Sequence, residues 1–265
     1  MKKILLPLLA FTAVLFAGCA SVPLTGRNRV MLVSDNEVLS SSLTQYNEYM
    51  TTATRSTNAT QAAMVQRVGK KIAAATEKFL VDNGLGAEVA QYKWEFNLVK
   101  DDEMNAFCMP GGKIVVYEGI MKICQSDDDL AVVLGHEVAH AVAKHSNERL
   151  SQQMLASYGS AILDAALSTR SEAARQLGQT VYGLGANYGV MLPYSRKHEL
   201  EADRMGLIFM AMAGYNPEVA VTFWQKMAAA NPTPIPPFMS SHPSDTKRIA
   251  DIQKYLPEAQ KYYAK

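Results

Sequence analysis

The order of apolar and polar residues divides the chain into stretches of different period. Over residues 37–81, apolar side chains return every three or four positions, which predicts one or two amphipathic helices that end at Asn83-Gly84. Over residues 92–98, apolar and polar side chains alternate singly, as in a half-buried strand, and a second strand is predicted at Lys113–Tyr117. The first half of the chain therefore predicts helices followed by a small sheet.

The second half returns to helical patterns. Ser126 precedes three aspartates, so its hydroxyl can cap a helix in which Asp129 holds the capping-box position, and this helix is predicted to run past Arg149. Further helices are predicted near residues 195–212, after Pro217 and at the C-terminus. Residues 151–193 are rich in alanine and glycine, which fits a mobile cover over a cleft or a poorly defined surface segment. The predicted fold class is α+β, mostly helical, with a small antiparallel sheet.

Composition narrows the class of protein. With 265 residues, 48% of them hydrophobic, the chain can bury the core of one large domain or two small ones. Its 26 basic and 25 acidic residues give a net charge of +1, so no nucleic-acid partner is expected. Two of the three cysteines, Cys108 and Cys124, could pair or lie buried as small apolar side chains.

The N-terminus has the pattern of an export signal. Two lysines precede an apolar stretch over residues 4–16 that is too short to span a membrane. The sequence Phe16-Ala17-Gly18-Cys19 resembles the lipobox of bacterial lipoproteins, in which the cysteine is acylated. We therefore expect a lipid anchor on Cys19, and a location in the cell envelope at the periplasmic face of the outer membrane.

The segment with the clearest chemistry is His136-Glu137-Val138-Ala139-His140, inside the helix that Ser126 begins. Histidines four positions apart share a helix face, so both imidazoles can bind one tetrahedral zinc ion. Glu137 lies about 100° around the helix, where its carboxylate can act as general base on a metal-bound water. The surrounding residues are apolar, so buried histidine and glutamate side chains need a polar partner, which a metal supplies.

The metzincin pattern does not provide a third ligand. It would place a glycine at position 143 and a histidine at position 146, where this chain has Ala143 and Ser146. His145 lies on roughly the opposite helix face from His136, which makes it a solvated or accessory histidine.

A separate helix offers the third ligand instead. Glu199 and Asp203 are four positions apart and share a face, whereas Glu201 points about 200° away from Glu199. We predict that Glu199 binds the zinc and that Asp203 accepts a hydrogen bond from a zinc-bound imidazole. His198 is an alternative ligand in place of Glu199.

The two motifs HExxH and ExxxD together resemble the signature of one metallopeptidase family. That family includes the mitochondrial Oma-type protease, the bacterial HtpX-type heat-shock protease and the prenyl-protein endopeptidases. The resemblance implies a zincin-like domain with one zinc ion per chain, bound by His136, His140 and Glu199, with Glu137 and Asp203 as catalytic and supporting residues.

Two further segments carry the resemblance. Residues 105–119 resemble the family's strand beside the active site, and His242-Pro243 with Arg248 resembles the C-terminal motif of its soluble lipoprotein members. We expect Ile114, Val115 and Val116 to form an edge strand that pairs with an extended substrate peptide, besides packing the core. His242 is expected to occupy the open zinc position at rest, to stabilise the oxyanion, or to be an exposed loop residue.

The sequence thus predicts a signal peptide over residues 1–18, a lipid-anchored tether over residues 19–36 and a zinc metallopeptidase domain over residues 37–265. The predicted function is an endopeptidase of misfolded or misassembled cell-envelope proteins, with the substrates implied by the resemblance alone. One alternative is an assembly factor or chaperone that keeps the metal site and acts by binding. Another is a zinc hydrolase of peptidoglycan peptides, although no glycan-binding module is visible.

Overall fold

The computed structural model describes residues 19–186, 192–230 and 246–263. These residues form two compact units. Of the described residues, the first unit contains 19–37, 144–186 and 192–197, and the second contains 38–143, 198–230 and 246–263. All three predicted zinc ligands lie in the second unit.

The elements follow the predicted order. The strands are β1 (Cys19–Ser21), β2 (Asn28–Val30), β3 (Glu95–Val99), β4 (Ala106–Met109) and β5 (Lys113–Tyr117). The helices are α1 (Asp35–Thr52), α2 (Ala59–Asp82), α3 (Gly86–Val89), α4 (Glu118–Met121), α5 (Asp127–Val142), α6 (His145–Ala166), α7 (Glu172–Ala186), α8 (Leu192–Met212), α9 (Val219–Ala229) and α10 (Thr246–Ala259), followed by a 3-10 turn at Gln260–Tyr262. The prediction of a mostly helical α+β domain is confirmed.

The first unit begins with a hairpin in which β1 and β2 pair antiparallel. Val22 is buried there, and the Arg27 guanidinium donates two hydrogen bonds to the Glu148 carboxylate of α6, at 2.8 and 2.7 Å. The segment predicted as a lipid-anchored tether, residues 19–36, thus contains a hairpin that contacts α6, and its role as a tether stays a prediction. The signal peptide predicted over residues 1–18 lies outside the described residues.

The helix that Ser126 begins ends earlier than predicted. Lys144 adopts a φ of 55°, in the left-handed region, so α5 ends at Val142 and a new helix starts at His145. His145 itself is buried, which excludes the solvated position considered for it. The alanine-rich segment that follows forms a helical hairpin of α6 and α7, and its action as a cover stays a prediction.

The sheet of the second unit has the order β3-β5-β4. Strand β4 is antiparallel to β5, whereas β3 is parallel to it, so the sheet is mixed rather than antiparallel as predicted. Ile114, Val115 and Val116 lie in the central strand and are fully buried. The expectation that they form an edge strand is wrong, because both edges of β5 are already hydrogen-bonded to neighbouring strands. The edge next to α5 belongs to β4.

Glycines allow the main elements of this unit to approach closely. A Cβ on Gly69 of α2 would lie 2.2 Å from the Phe96 ring of β3, so only glycine lets this ring pack on the helix. Helices α5 and α8 cross at Gly135 and Gly206, where a Cβ on either residue would lie 2.7–2.8 Å from the other's backbone. This crossing brings the helix of the two predicted histidine ligands against the helix of Glu199.

Two further predictions concern the cysteines and membrane-spanning helices. Cys108 and Cys124 are both free thiols, which excludes a disulfide between them. In the described part of the chain, no helix combines the length and the apolar character needed to cross a membrane.

Candidate metal centre

Helix α5 is fixed at its start by the predicted cap. The Ser126 hydroxyl accepts a hydrogen bond from the Asp129 backbone N–H at 3.1 Å, and the Asp129 carboxylate accepts one from the Ser126 N–H at 3.2 Å. This capping box satisfies N–H groups that the first helical turn leaves without partners. The helix then runs through the core, so the side chains of His136 and Glu137 are both buried.

Three side chains converge as the sequence predicts. Nε2 of His136 lies 3.0 Å from Nε2 of His140, and these nitrogens lie 3.3 and 3.4 Å from the two carboxylate oxygens of Glu199. A tetrahedral zinc ion with bonds of about 2.0–2.1 Å separates its ligands by about 3.4 Å. The spacing and the N,N,O donor set therefore both fit one zinc ion, and within the described residues this is the cluster able to hold a metal. His198, the alternative to Glu199, is not part of it.

Asp203 lies beneath His136 and orients it. Its Oδ1 is 2.9 Å from Nδ1 of His136, on the side of the ring away from the cluster. Burial lowers the pKa of His136, but the hydrogen bonds to Asp203 and Glu199 outweigh it and raise that pKa to about 9. An imidazole whose Nδ1–H is bound to a carboxylate presents Nε2 to a metal, so the predicted role of Asp203 fits this geometry.

Arg248 of α10 completes the network from a second direction. Nε and Nη2 of its guanidinium donate to the two oxygens of Asp203 at 2.8 and 2.7 Å. The guanidinium carbon also lies over the Trp224 ring of α9, 3.6 Å from the ring centroid. Burial raises the pKa of Asp203, but the positive charge of Arg248 and the hydrogen bond from His136 outweigh it, so that pKa is lowered. Asp203 is thus held ionised in the core.

Glu137 faces the edge of the sheet. Its Oε2 accepts a hydrogen bond from the Cys108 backbone N–H of β4 at 3.1 Å. The backbone N–H of Tyr117 donates to the carbonyl of Asn105, so the peptide groups of residues 105, 107 and 109 face β5. Those of Ala106 and Cys108 face the outer edge of β4, with which no described strand pairs. The proposed base and this outer edge therefore meet at Cys108.

Two of these contributions do not follow from the sequence. Trp224 follows Phe223 in an apolar helical pattern, and nothing in this pattern indicates that the indole contacts a cation. The Cys108 contact involves a backbone group, whose direction depends on the strand register. His242 lies outside the described residues, so the roles considered for it remain predictions.

Similarity to known proteins agrees with a metallopeptidase site. The sequence profile of peptidase family M48 matches residues 59–256, which is most of the chain and includes the whole metal cluster. The chain belongs to peptidase family M48. Membership of M48 confirms the predicted metallopeptidase resemblance and the prediction of a hydrolase that acts on peptide bonds.

The match to each of three curated M48 relatives covers only part of that relative's length. The mitochondrial metalloendopeptidase OMA1 of Schizosaccharomyces pombe is 40% identical over 174 residues, 65% of this chain and 49% of that protein. The Saccharomyces cerevisiae protein of the same name is 34% identical over 212 residues, 73% of this chain and 55% of that protein. The β-barrel assembly-enhancing protease of Escherichia coli is 27% identical over 165 residues, 60% of this chain and 34% of that protein. The chain thus spans about half the length of the two yeast relatives.

These relatives correct one prediction. The expected location at the periplasmic face of the outer membrane is wrong, because the relatives that share 34% and 40% identity are mitochondrial proteins. Lipid attachment to Cys19 stays a prediction, since neither the structure nor the comparisons test it.

Proposed function

We propose that this protein is a zinc-dependent endopeptidase that hydrolyses peptide bonds within unfolded or misassembled proteins. The observation that carries the proposal is the convergence of His136, His140 and Glu199 within 4.8 Å, beside a buried glutamate and β4, which is an edge strand among the described residues. A zinc ion held there would polarise the scissile carbonyl and lower the pKa of a bound water to about 7.

The chain's own residues supply the proton transfers. The Glu137 carboxylate takes a proton from the attacking water as the new C–O bond forms. It then passes that proton to the amide nitrogen, which leaves as an amine when the C–N bond breaks. The N–H of Cys108 holds one oxygen of this carboxylate, so its position does not depend on the substrate.

The edge of β4 suits an extended polypeptide. The Cys108 N–H is engaged by Glu137, but the peptide groups of Ala106 and the Cys108 carbonyl also face away from β5. Main-chain pairing with these groups requires no particular side chains in the substrate. Such pairing needs a substrate segment that is already unfolded, because a folded protein uses the same peptide groups internally. The similarity to a mitochondrial metalloendopeptidase and to a β-barrel assembly-enhancing protease supports this proposal.

Cleavage of unfolded casein with and without a chelator tests the proposal. The zinc-loaded chain should cleave casein, the chelator should stop cleavage, and added zinc should restore it. Glu137→Gln should keep its zinc, measured by elemental mass spectrometry, and lose at least about a hundredfold in rate. The control Glu48→Gln removes an exposed carboxylate and should cleave like the parent chain. Cleavage by Glu137→Gln at the parent rate would refute the assigned base, and zinc binding without casein cleavage would favour a role in binding alone.

A further inference from the structure

A groove lies beside β3, at the edge of the sheet opposite to β4. It encloses about 480 Å³, within the range of ligand sites. One face of α2 forms one wall and β3 forms the other, and the charged and aromatic residues that line it include Arg55, Lys70, Glu77, Trp94 and Glu95. The proposed peptidase mechanism uses none of these residues.

The main chain of β3 contributes little to this groove. The carbonyl of Phe96 already accepts a hydrogen bond from the Gln66 side chain, and the carbonyl of Leu98 accepts one from the Ser56 N–H at 2.9 Å. Strand addition, which is open at β4, is therefore restricted here. A ligand in the groove therefore has to contact the protein's side chains rather than its main chain. Binding then depends on which side chains the ligand itself carries.

The two carboxylates of the groove already have partners. Glu95 accepts hydrogen bonds from the Lys113 ammonium at 2.5 Å and from the Tyr46 hydroxyl at 2.9 Å. The bond from Lys113 is the main cause of a lowered pKa at Glu95. Glu77 accepts a hydrogen bond from the Trp94 indole N–H at 2.8 Å.

The two cations of the groove are less engaged. Across the described residues, Lys70 makes no hydrogen bond and no ion pair. Arg55 donates one hydrogen bond, from Nη1 to the neutral amide oxygen of Asn97. Two cations and two carboxylates line the groove, and one of the carboxylates, Glu95, is already paired with Lys113. Two cationic groups are thus available to an anionic ligand.

An aromatic surface lies next to these cations. The Trp94 ring is half-buried and stacks on Tyr92, with centroids 4.8 Å apart, and on Phe96 at 6.4 Å. The stack fixes the indole in one orientation. The groove therefore combines a rigid apolar wall with two cations, which suits a ligand that carries a carboxylate beside an apolar side chain.

We propose that this groove binds an extended acidic segment of a polypeptide substrate, with its carboxylates on Lys70 and Arg55 and an apolar side chain against Trp94. Glu77 and Glu95 on the same walls disfavour a phosphate backbone, whose negative charge is continuous. That the bound segment belongs to a substrate rests on the proposed function, whereas its carboxylate binding does not.

Fluorescence anisotropy with two labelled peptides tests the site. The peptides have equal length and differ only in carrying Asp or Asn on either side of a leucine. The zinc-loaded Glu137→Gln chain, which leaves peptides intact, should bind the Asp peptide about tenfold more tightly. Lys70→Glu and Arg55→Glu, added to that chain, should each abolish the preference. Lys78→Glu should retain it, since Lys78 is exposed on the same helix, pairs with Asp82 and does not line the groove.

Each contrary outcome identifies what is wrong. Equal affinity of the Lys70→Glu and Lys78→Glu proteins for the Asp peptide would overturn the site. Tighter binding of an oligonucleotide or an anionic vesicle than of the Asp peptide would overturn the ligand class. Circular dichroism checks folding, and Lys70→Gln is the milder variant if Lys70→Glu unfolds. Because binding is measured without turnover, a chain that prefers the Asp peptide but does not cleave casein would refute the proposed function and leave the groove assignment intact.

Discussion

Replacing Arg248 by lysine tests how the metal cluster is supported. Lysine keeps the positive charge, but an ammonium lacks the planar fork that donates two parallel hydrogen bonds to Asp203 while contacting Trp224. The loss of one charge-assisted hydrogen bond costs about 1.5–3 kcal/mol, and the loss of a desolvated cation–π contact costs up to about 2 kcal/mol. We expect the free energy of unfolding to fall by about 3 kcal/mol and the zinc affinity to fall about 10- to 100-fold, because Asp203 orients His136.

Arg204 provides a matched control. Its guanidinium makes the same two-bond contact with Glu258, at 2.7 and 2.8 Å, and the same helices, α8 and α10, carry the two residues. Both side chains are about one-third exposed, so Arg204→Lys should cost less than about 1 kcal/mol. Urea unfolding gives the stabilities, and competition with a chromogenic chelator gives the zinc affinities. Equal losses in the two variants, or an unchanged zinc affinity in Arg248→Lys, would refute the importance of the buried contact.

Two further predictions concern the helix crossing and the pH dependence. Gly206→Ala places a methyl group 2.8 Å from the Gly135 backbone, so it should lower the free energy of unfolding in urea by about 1–3 kcal/mol and weaken zinc binding by displacing Glu199. Gly183→Ala, whose added methyl group meets no atom within 4 Å, should not destabilise the chain. Wild-type zinc affinity in Gly206→Ala would contradict this expectation. In the metal-free chain the pKa of His136 is raised, so the folded state binds more protons than the unfolded state between pH 6.5 and about 9. The free energy of unfolding should therefore fall by about 3 kcal/mol as the pH rises through this range. His136→Asn should remove this fall, and urea midpoints in chelator that rise with pH would show that the sign is wrong.

The helical part of the site could be predicted because its signals are local. The Ser126 capping box, the four-residue spacing of His136 and His140, and the shared face of Glu199 and Asp203 all lie within single helices, where the sequence fixes relative directions. Even the meeting of two separate helices had a sequence basis, since buried histidines required a polar partner.

The arrangement of the sheet could not be predicted in the same way. An apolar run such as Lys113–Tyr117 reads alike whether the strand is central or at an edge, and the distinction depends on pairing with β3 and β4, which are distant along the chain. The helix break at Lys144 was missed because lysine carries no preference for the left-handed region. Trp224 acquires its role only through the position of Arg248, which comes from another helix.

The hydrogen bond from β4 to Glu137 has a consequence for variation at position 108. Every amino acid except proline carries a backbone N–H, so exchanging the cysteine for another residue leaves the donor in place. The residue type found at this position in other sequences therefore says little about how the glutamate is held. The register of β4, which places this N–H opposite the glutamate, is the property that has to be kept. The side chain at position 108 can change without altering this contact.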